Sequence, residues 1–209
     1  MRTTLLCFSD LHRDLAAARR LAGLALSGRY TLLVSAGDLG MDGVHEPGLT
    51  TLIAKGGTEV LSVPGNHDGT SAYRAEVEGG GWTDLDGSII QRGEWWFAGI
   101  GLLPAPHTTS SPARDSETRT ALLLESFAHF PLHRLVLVTH VPPAGTLAAR
   151  DRRFVDRGSI VLANWIQTHP LAALVCGHVH HPEPVVTQIG STRVVLGGPS
   201  AFDLVLDQG

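Results

Sequence analysis

The sequence has few cysteines and lacks a long apolar run, and each shortage excludes a class of protein. Only two cysteines, Cys7 and Cys176, occur among 209 residues. Two thiols are too few for a disulfide framework or a thiolate zinc site, so we expect free, buried cysteines in a reducing compartment. The apolar runs are shorter than the roughly 20 residues that a membrane-spanning helix needs. With no secretory leader pattern either, we expect a cytoplasmic protein without membrane contact.

The chain also lacks an excess of positive charge. It carries 16 Lys and Arg against 20 Asp and Glu, a formal net charge of -4. A stable complex with nucleic acid relies on neutralising many phosphates, so we expect none here. The length fits one domain, residues 1–209, that is large enough to bury a substantial apolar core.

Apolar runs that alternate with helical segments dominate what the chain does contain. The predicted strands include 3–9, 134–139 and 171–176, and the predicted helices are 14–27, 47–56, 70–79, 116–130 and 158–168. A predicted hairpin within 87–101 indicates that sheet pairing is not purely parallel. The stretch 104–116, rich in Pro, Ser and Thr, is predicted to be a surface loop.

Five of the apolar runs end at a residue that can bind a metal ion. Short runs of this kind are typical of buried strands, and ligands collect beyond the carboxyl ends of strands in open α/β sheets. We therefore expect one polar site assembled from across the chain. The five residues are Asp10, Asp38, Asn66, His140 and His178.

Further donors lie beside these five positions. Asp10 and His12 are spaced so that both side chains can turn toward one ion, and His180 follows His178 at the same spacing. Asp38 has two carboxylate oxygens, one available to each of two cations, which makes it the natural bridging ligand. Carboxylate, amide and imidazole ligands together suit first-row divalent ions.

The segment Gly65-Asn66-His67-Asp68 supplies two kinds of group. Asn66 offers an amide oxygen as a metal ligand, whereas the His67 imidazole next to it is not needed for metal binding. Asp68 is a carboxylate that we expect to hold the other nitrogen of that imidazole. We therefore predict that Asn66 and His67 contact the substrate and that His67 and Asp68 take part in catalysis.

Taken together, the blocks resemble the ordered signature of the calcineurin-like metallophosphoesterases. That signature reads D-x-H, G-D, G-N-H-D/E, H and G-H-x-H, and it is met at Asp10–His12, Gly37–Asp38, Gly65–Asp68, His140 and Gly177–His180. Each block alone is a weak signal, but five in order are specific. The resemblance implies an α/β fold, a four-layer α/β/β/α sandwich with two mixed β-sheets.

The same resemblance implies two divalent metal ions, with Mn favoured and Fe, Zn or Ni also suited to the ligands. One ion would be held by Asp10, His12, Asp38 and His180, and the other by Asp38, Asn66, His140 and His178. Two such ions about 3.5–4 Å apart polarise a phosphoryl group and activate water. His67 would then protonate the leaving group as general acid.

The stretch 139–159, THVPPAGTLAARDRRFVDRGS, resembles the small prokaryotic phosphodiesterase-like branch of the family. Relatives that act on phosphoproteins carry arginines soon after G-D and after G-N-H-E, whereas here Gly37–Gly43 reads GDLGMDG and Gly69 follows Asp68. Monoester dianions gain more from such arginines than diester monoanions do. We expect a small phosphorylated substrate, a nucleotide-like or cyclic phosphodiester. The alternatives are a phosphomonoesterase and a non-catalytic binding scaffold.

Two further features leave their roles open. His45 lies in the loop after Asp38 and is a candidate substrate contact, although a loop histidine is more often solvated. The segment 150–157 carries four arginines interleaved with two aspartates. It either contacts a phosphate or forms a solvated, partly self-neutralised loop, and the sequence slightly favours the second interpretation.

Overall fold

A computed structural model describes residues 2–101 and 112–207, without the side chains of 112–115. The strands in these ranges are β1 Thr3–Phe8, β2 Leu32–Ser35, β3 Val60–Ser62, β4 Thr83–Asp84, β5 Ile89–Arg92, β6 Trp95–Ile100, β7 Leu135–Thr139, β8 Ala173–Cys176, β9 Val185–Ile189, β10 Thr192–Leu196 and β11 Phe202–Leu206. The α-helices in the same ranges are α1 Leu15–Ala25, α2 Leu49–Ala54, α3 Thr70–Gly79, α4 Pro112–Phe127 and α5 Ile160–Thr168.

The described strands form two mixed sheets. The first has the order β11-β1-β2-β3-β4, and only the β11-β1 pair is antiparallel. The second has the order β5-β6-β7-β8-β10-β9, with antiparallel pairs at its two edges and parallel pairs between them. The predicted hairpin is β5-β6, and it forms one of these antiparallel edges.

Three apolar clusters show that the sheets are stacked between helices. One cluster joins inward residues of both sheets, such as Val34 and Val136. A second packs α1, α2 and α3 on the first sheet, and a third packs α4 and α5 on the second. The predicted α/β/β/α sandwich with two mixed sheets is therefore confirmed.

Helix α1 shows how the local sequence produces these layers. The carboxylate of Asp14 accepts hydrogen bonds from the backbone N–H groups of Ala16 and Ala17, which caps the helix. Its buried face is mostly alanine around Leu21, so the helix packs closely on the sheet. Within the described part of the chain, no helix combines the length and apolar character needed to cross a membrane.

One helix starts earlier than predicted. Helix α4 begins at Pro112 rather than at residue 116, and proline suits the first turn because that position needs no N–H donor within the helix. The predicted surface loop 104–116 lies largely outside the described residues.

Candidate metal centre

The parallel strands of both sheets deliver polar residues to one edge of the sandwich. Strands β1, β2 and β3 end just before Asp10, Asp38 and Asn66, and β7 and β8 end just before His140 and His178. The carboxyl ends of parallel strands lie at the same edge, so these side chains converge as the sequence predicts.

The first group of donors consists of Asp10, His12 and His180. Nε2 of His12 lies 2.9 Å from Nε2 of His180, and Nε2 of His180 lies 3.7 Å from Oδ1 of Asp10. One ligand atom from each residue lies within 4.8 Å of the others, a spacing that can hold a metal ion. The backbone N–H of His178 donates to Oδ1 of Asp10 at 3.0 Å and holds the carboxylate in place.

The second group consists of Asn66, His140 and His178. The amide oxygen of Asn66 lies 3.0 Å from Nε2 of His140 and 2.9 Å from Nδ1 of His178. Nδ1 of the fully buried His140 ring lies 2.7 Å from the carbonyl oxygen of Ala36, which fixes the ring and turns Nε2 toward the site. Metal-binding histidines are commonly oriented in this way through their second nitrogen.

Asp38 lies between the two groups. Its Oδ2 atom is 3.8 Å from Nε2 of His12 and 3.5 Å from Nε2 of His140. Its other oxygen, Oδ1, accepts a hydrogen bond from the backbone N–H of His67 at 2.8 Å. The sequence predicted one oxygen for each cation, but here a single oxygen faces both groups because the other is occupied by the backbone.

The ionisation of these groups reflects burial and their mutual contacts. Burial acts to raise the pKa of Asp38, but the hydrogen bond and charge of His140 outweigh it and lower that pKa to about 2. Burial likewise acts to lower the pKa of His140, but the hydrogen bond and charge of Asp38 outweigh it and raise that pKa to about 9. Burial and the neighbouring His140 lower the pKa of His178 to about 4, so His178 is neutral near pH 7 and can donate an electron pair.

The backbone at the site is held in an uncommon conformation. Asp10, His12, Asp38 and His178 have φ angles of 55°, 43°, 55° and 71°, in the left-handed region. Such strain occurs where the surrounding structure enforces it and is concentrated at functional sites. The site also explains why the G-N-H-D motif begins with glycine. A Cβ at position 65 would collide with Oδ1 and the backbone nitrogen of Asp38.

The donor set fits two divalent cations. Ligand atoms of Asp10, Asp38 and His140 also lie within 4.8 Å of one another, so the carboxylates of Asp10 and Asp38 connect the first group to His140. The amide oxygen of Asn66 adjoins His140 and His178, and one carboxylate oxygen of Asp38 faces both groups. The mixture of hard oxygen and imidazole ligands suits Mn, Fe, Zn or Ni.

His67 lies beside the first group of donors, and its partner differs from the one predicted. Its ring centroid is 5.3 Å from that of His12, and its Nδ1 atom is 3.1 Å from Oδ1 of Asp42. Asp42 was missed by sequence reasoning because no motif includes it. The local sequence indicates only a turn, through the Asp42-Gly43 pair, and both residues do have positive φ in the structure.

The predicted role of Asp68 in orienting His67 is therefore corrected. The Asp68 carboxylate is fully buried and accepts hydrogen bonds from the backbone N–H groups of Asp38, Gly40 and Gly65 at 2.9, 2.7 and 2.7 Å. Burial raises its pKa, while the amides of Gly40 and Gly65 oppose that shift. Asp68 ties together the two loops that carry Asp38 and Asn66 and does not hold the His67 imidazole.

His45 also has a different role from the predicted substrate contact. Its side chain is 8 % exposed, and Nε2 lies 2.7 Å from the carbonyl oxygen of Asp68. It is not among the described residues that line the cavity over the donor groups. The imidazole packs behind Asp68 because the loop after Asp38 folds back onto the Gly65–Asp68 segment.

A cavity of about 590 Å³ opens over the site. Its described lining combines donor residues, His67 and part of the loop 150–157, namely Asp38, Asn66, His67, Asp151, Arg152, Arg153, Arg157, His178, Val179 and His180. The loop is exposed and partly self-neutralised, as the sequence favoured, but it also brings arginines to the cavity.

Comparison with known proteins agrees with this architecture. A solved structure from Thermus thermophilus superposes with a TM-score of 0.72 at 18 % identity, covering 95 % of this chain and 90 % of the other. A dimetal phosphatase from Danio rerio gives 0.70 at 11 % identity, with 99 % of both chains covered. Phosphopantetheinyl hydrolase from Mycobacterium tuberculosis gives 0.64 at 16 % identity, covering 94 % and 89 %. These likenesses show the fold.

The family is shown by the sequence itself. Residues 3–182 match the family described as calcineurin-like phosphoesterase. A search of curated proteins found no significant match to the chain. The chain therefore belongs to the calcineurin-like phosphoesterases, a metal-dependent family of phosphoester hydrolases.

Proposed function

We propose that the chain is a dinuclear metal-dependent phosphodiesterase that acts on small, nucleotide-like substrates. The observation that carries the proposal is the position of Asp38, whose Oδ2 atom faces both donor groups while His67 lies beside them. This arrangement supports two cations at the floor of a cavity large enough for a small-molecule substrate.

The residues predicted from the motifs would hold the cations. One site would use Asp10, His12, Asp38 and His180, and the other Asp38, Asn66, His140 and His178. When bound, such ions supply positive charge for a phosphoryl group and acidify water, with no need for a protein nucleophile. The chain's own residues position the substrate and move the proton.

His67 is the proposed general acid. Its Nδ1 atom faces Asp42 at 3.1 Å, so a proton on Nδ1 is held there and Nε2 is left for the leaving group. The imidazole lines the cavity and belongs to neither donor group. In this position an imidazole that carries a proton on Nε2 can donate it to a departing alkoxide.

The preference for diesters rests on what surrounds the donor groups. Phosphoprotein-directed relatives carry an arginine soon after each of the motifs G-D and G-N-H-E, whereas here Gly37–Gly43 reads GDLGMDG and Gly69 follows Asp68. A diester monoanion needs less positive charge than a monoester dianion. Arginines of the loop 150–157 do reach the cavity, and this observation makes a phosphomonoesterase the second candidate.

The test compares metal-free and Mn-reconstituted protein on bis-p-nitrophenyl phosphate and p-nitrophenyl phosphate. The proposal predicts Mn-dependent cleavage that is faster, by kcat/KM, for the diester. Faster cleavage of the monoester would replace it with the second candidate. Two bound metals without cleavage of either substrate would favour a non-catalytic scaffold.

A further inference from the structure

The loop 150–157 carries more positive charge than its own acids neutralise. It contains four arginines and two aspartates. Nε of Arg157 donates to Oδ2 of Asp151 at 3.1 Å. Nη1 of Arg150 donates to the carbonyl oxygen of Phe154 at 3.1 Å, and Nε of Arg150 lies 4.0 Å from Oδ2 of Asp156. Two of the four guanidinium groups are thus engaged within the loop.

The other two guanidinium groups belong to Arg152 and Arg153. In the part of the chain that the structure describes, neither side chain has a hydrogen bond or ion pair with another residue. Both are exposed, and both line the cavity that also contains Asn66 and His67. Two arginines with uncommitted side chains therefore line the space that a substrate would fill.

The loop holds these arginines on a defined backbone. Oδ1 of Asp151 accepts hydrogen bonds from the backbone N–H groups of Arg153 and Val155 at 2.8 and 2.9 Å. Phe154 keeps a left-handed backbone with φ of 61°, although its side chain is 79 % exposed. A strained backbone closed by several hydrogen bonds presents its side chains with a smaller loss of conformational entropy on binding.

The cavity has room for a substrate larger than one phosphate. Its volume of about 590 Å³ falls in the range, roughly 300–1,000 Å³, of small-molecule sites. The described hydrogen bonds and ion pairs link neither Arg152 nor Arg153 to the donor groups. A substrate lying across the cavity can therefore place one phosphate at the donor groups and another anionic group at the loop.

We infer that Arg152 and Arg153 bind a second phosphate of the substrate, so that the preferred substrate is a phosphodiester bearing an additional phosphate group. The inference rests on the proposed function, because it takes the scissile diester to lie at the donor groups. Guanidinium groups match phosphate oxygens in geometry and remain charged at every physiological pH. The arginines thus act as specificity-determining residues.

The test uses two dinucleotides that differ only in a 5′-phosphate, thymidylyl-thymidine and its 5′-phosphorylated form. Mn-loaded wild-type protein is expected to show at least a tenfold higher kcat/KM for the phosphorylated form. Arg152→Gln with Arg153→Gln is expected to remove most of that ratio. Arg19→Gln, which makes the same kind of charge change on the exposed face of α1, is expected to retain it.

A binding measurement keeps this test separate from the proposed function. Calorimetry on Mn-loaded protein compares thymidine 3′,5′-bisphosphate with thymidine 5′-phosphate, and no turnover is required. We expect roughly tenfold tighter binding of the bisphosphate, lost in the double variant and kept in Arg19→Gln. Equal losses for both ligands would mean that the arginines hold the reacting phosphate, and unchanged binding would mean a solvated loop. Either result overturns the inference even if the enzyme is active.

Discussion

Nδ1 of His67 lies 3.1 Å from Oδ1 of Asp42, a residue 25 positions away in the sequence. Asp42 sits in the loop that follows Asp38, so the loop carrying one proposed metal ligand also supplies the partner of the proposed acid. The backbone N–H of Gly43 donates to the carbonyl oxygen of His67 at 2.7 Å, which ties the two segments together.

This contact predicts a selective effect of Asp42→Asn. The substitution weakens the contact that orients the His67 ring, because a neutral amide oxygen is a weaker hydrogen-bond acceptor than a carboxylate, so kcat should fall for diesters with an alkoxide leaving group while KM changes little. The Asp42 side chain is 81 % exposed, so we expect a loss of no more than about tenfold. Steady-state kinetics with alkoxide and p-nitrophenoxide leaving groups measure it, with Glu78→Gln on α3 as control. An equal loss on both leaving groups would argue against a role through His67.

Asp68→Asn should act on stability rather than only on turnover. The buried carboxylate accepts three backbone hydrogen bonds, and an amide can accept at only one of its two terminal atoms. We expect the free energy of unfolding of the metal-free protein to fall by about 1–3 kcal/mol. Urea denaturation measures this loss. Wild-type stability combined with lost turnover would restore the catalytic role first predicted for Asp68.

The shared oxygen of Asp38 predicts a pattern of metal loss. His12→Ala and His140→Ala each remove a donor from one group and should each leave about one metal per chain, whereas Asp38→Asn should weaken both sites. Elemental analysis by mass spectrometry after dialysis gives the stoichiometry. His169→Ala, at the end of α5, is a matched control. Full metal content in Asp38→Asn would show that this carboxylate does not bridge.

The two cysteines should be inert in the native protein. Cys7 and Cys176 are fully buried, and burial raises the pKa of both thiols well above the usual range. Native protein at pH 8 should leave both unreacted with Ellman's reagent, and denatured protein should react at both. Above pH 9.0, the ordinary pKa of a cysteine, the unfolded chain releases thiol protons that the folded protein keeps. The free energy of unfolding should therefore decrease as the pH rises above that value. Rapid reaction of native protein would contradict the buried placement.

Much of the fold follows from the apolar pattern. The strand predicted at 3–9 is Thr3–Phe8 and the one predicted at 134–139 is Leu135–Thr139, because buried parallel strands read as continuous apolar runs. Strand β4 was not predicted, since its two residues, Thr83 and Asp84, carry no pattern and are strand only through pairing with β3.

The candidate site, like the fold, could be predicted only in part. Motif residues such as Asp10 and Asn66 lie at strand ends, so their convergence was predictable from local sequence. Adjacency misled the prediction for Asp68, because the turn after Gly65 directs its carboxylate under the backbone of Asp38. The pairing of Asp42 with His67 depends on two loops that meet in space, and the local sequence of either loop does not indicate this contact.

The most direct test of the account is His67→Ala, with metal content and turnover measured on the same sample. The imidazole is outside both donor groups, so the metal content should equal that of the wild type. Turnover of diesters with an alkoxide leaving group should fall by about 10²–10⁴-fold, the usual contribution of a general acid. Cleavage that releases p-nitrophenoxide, which needs no proton, should fall far less. Unchanged metal content together with full activity on the alkoxide diester would contradict the account.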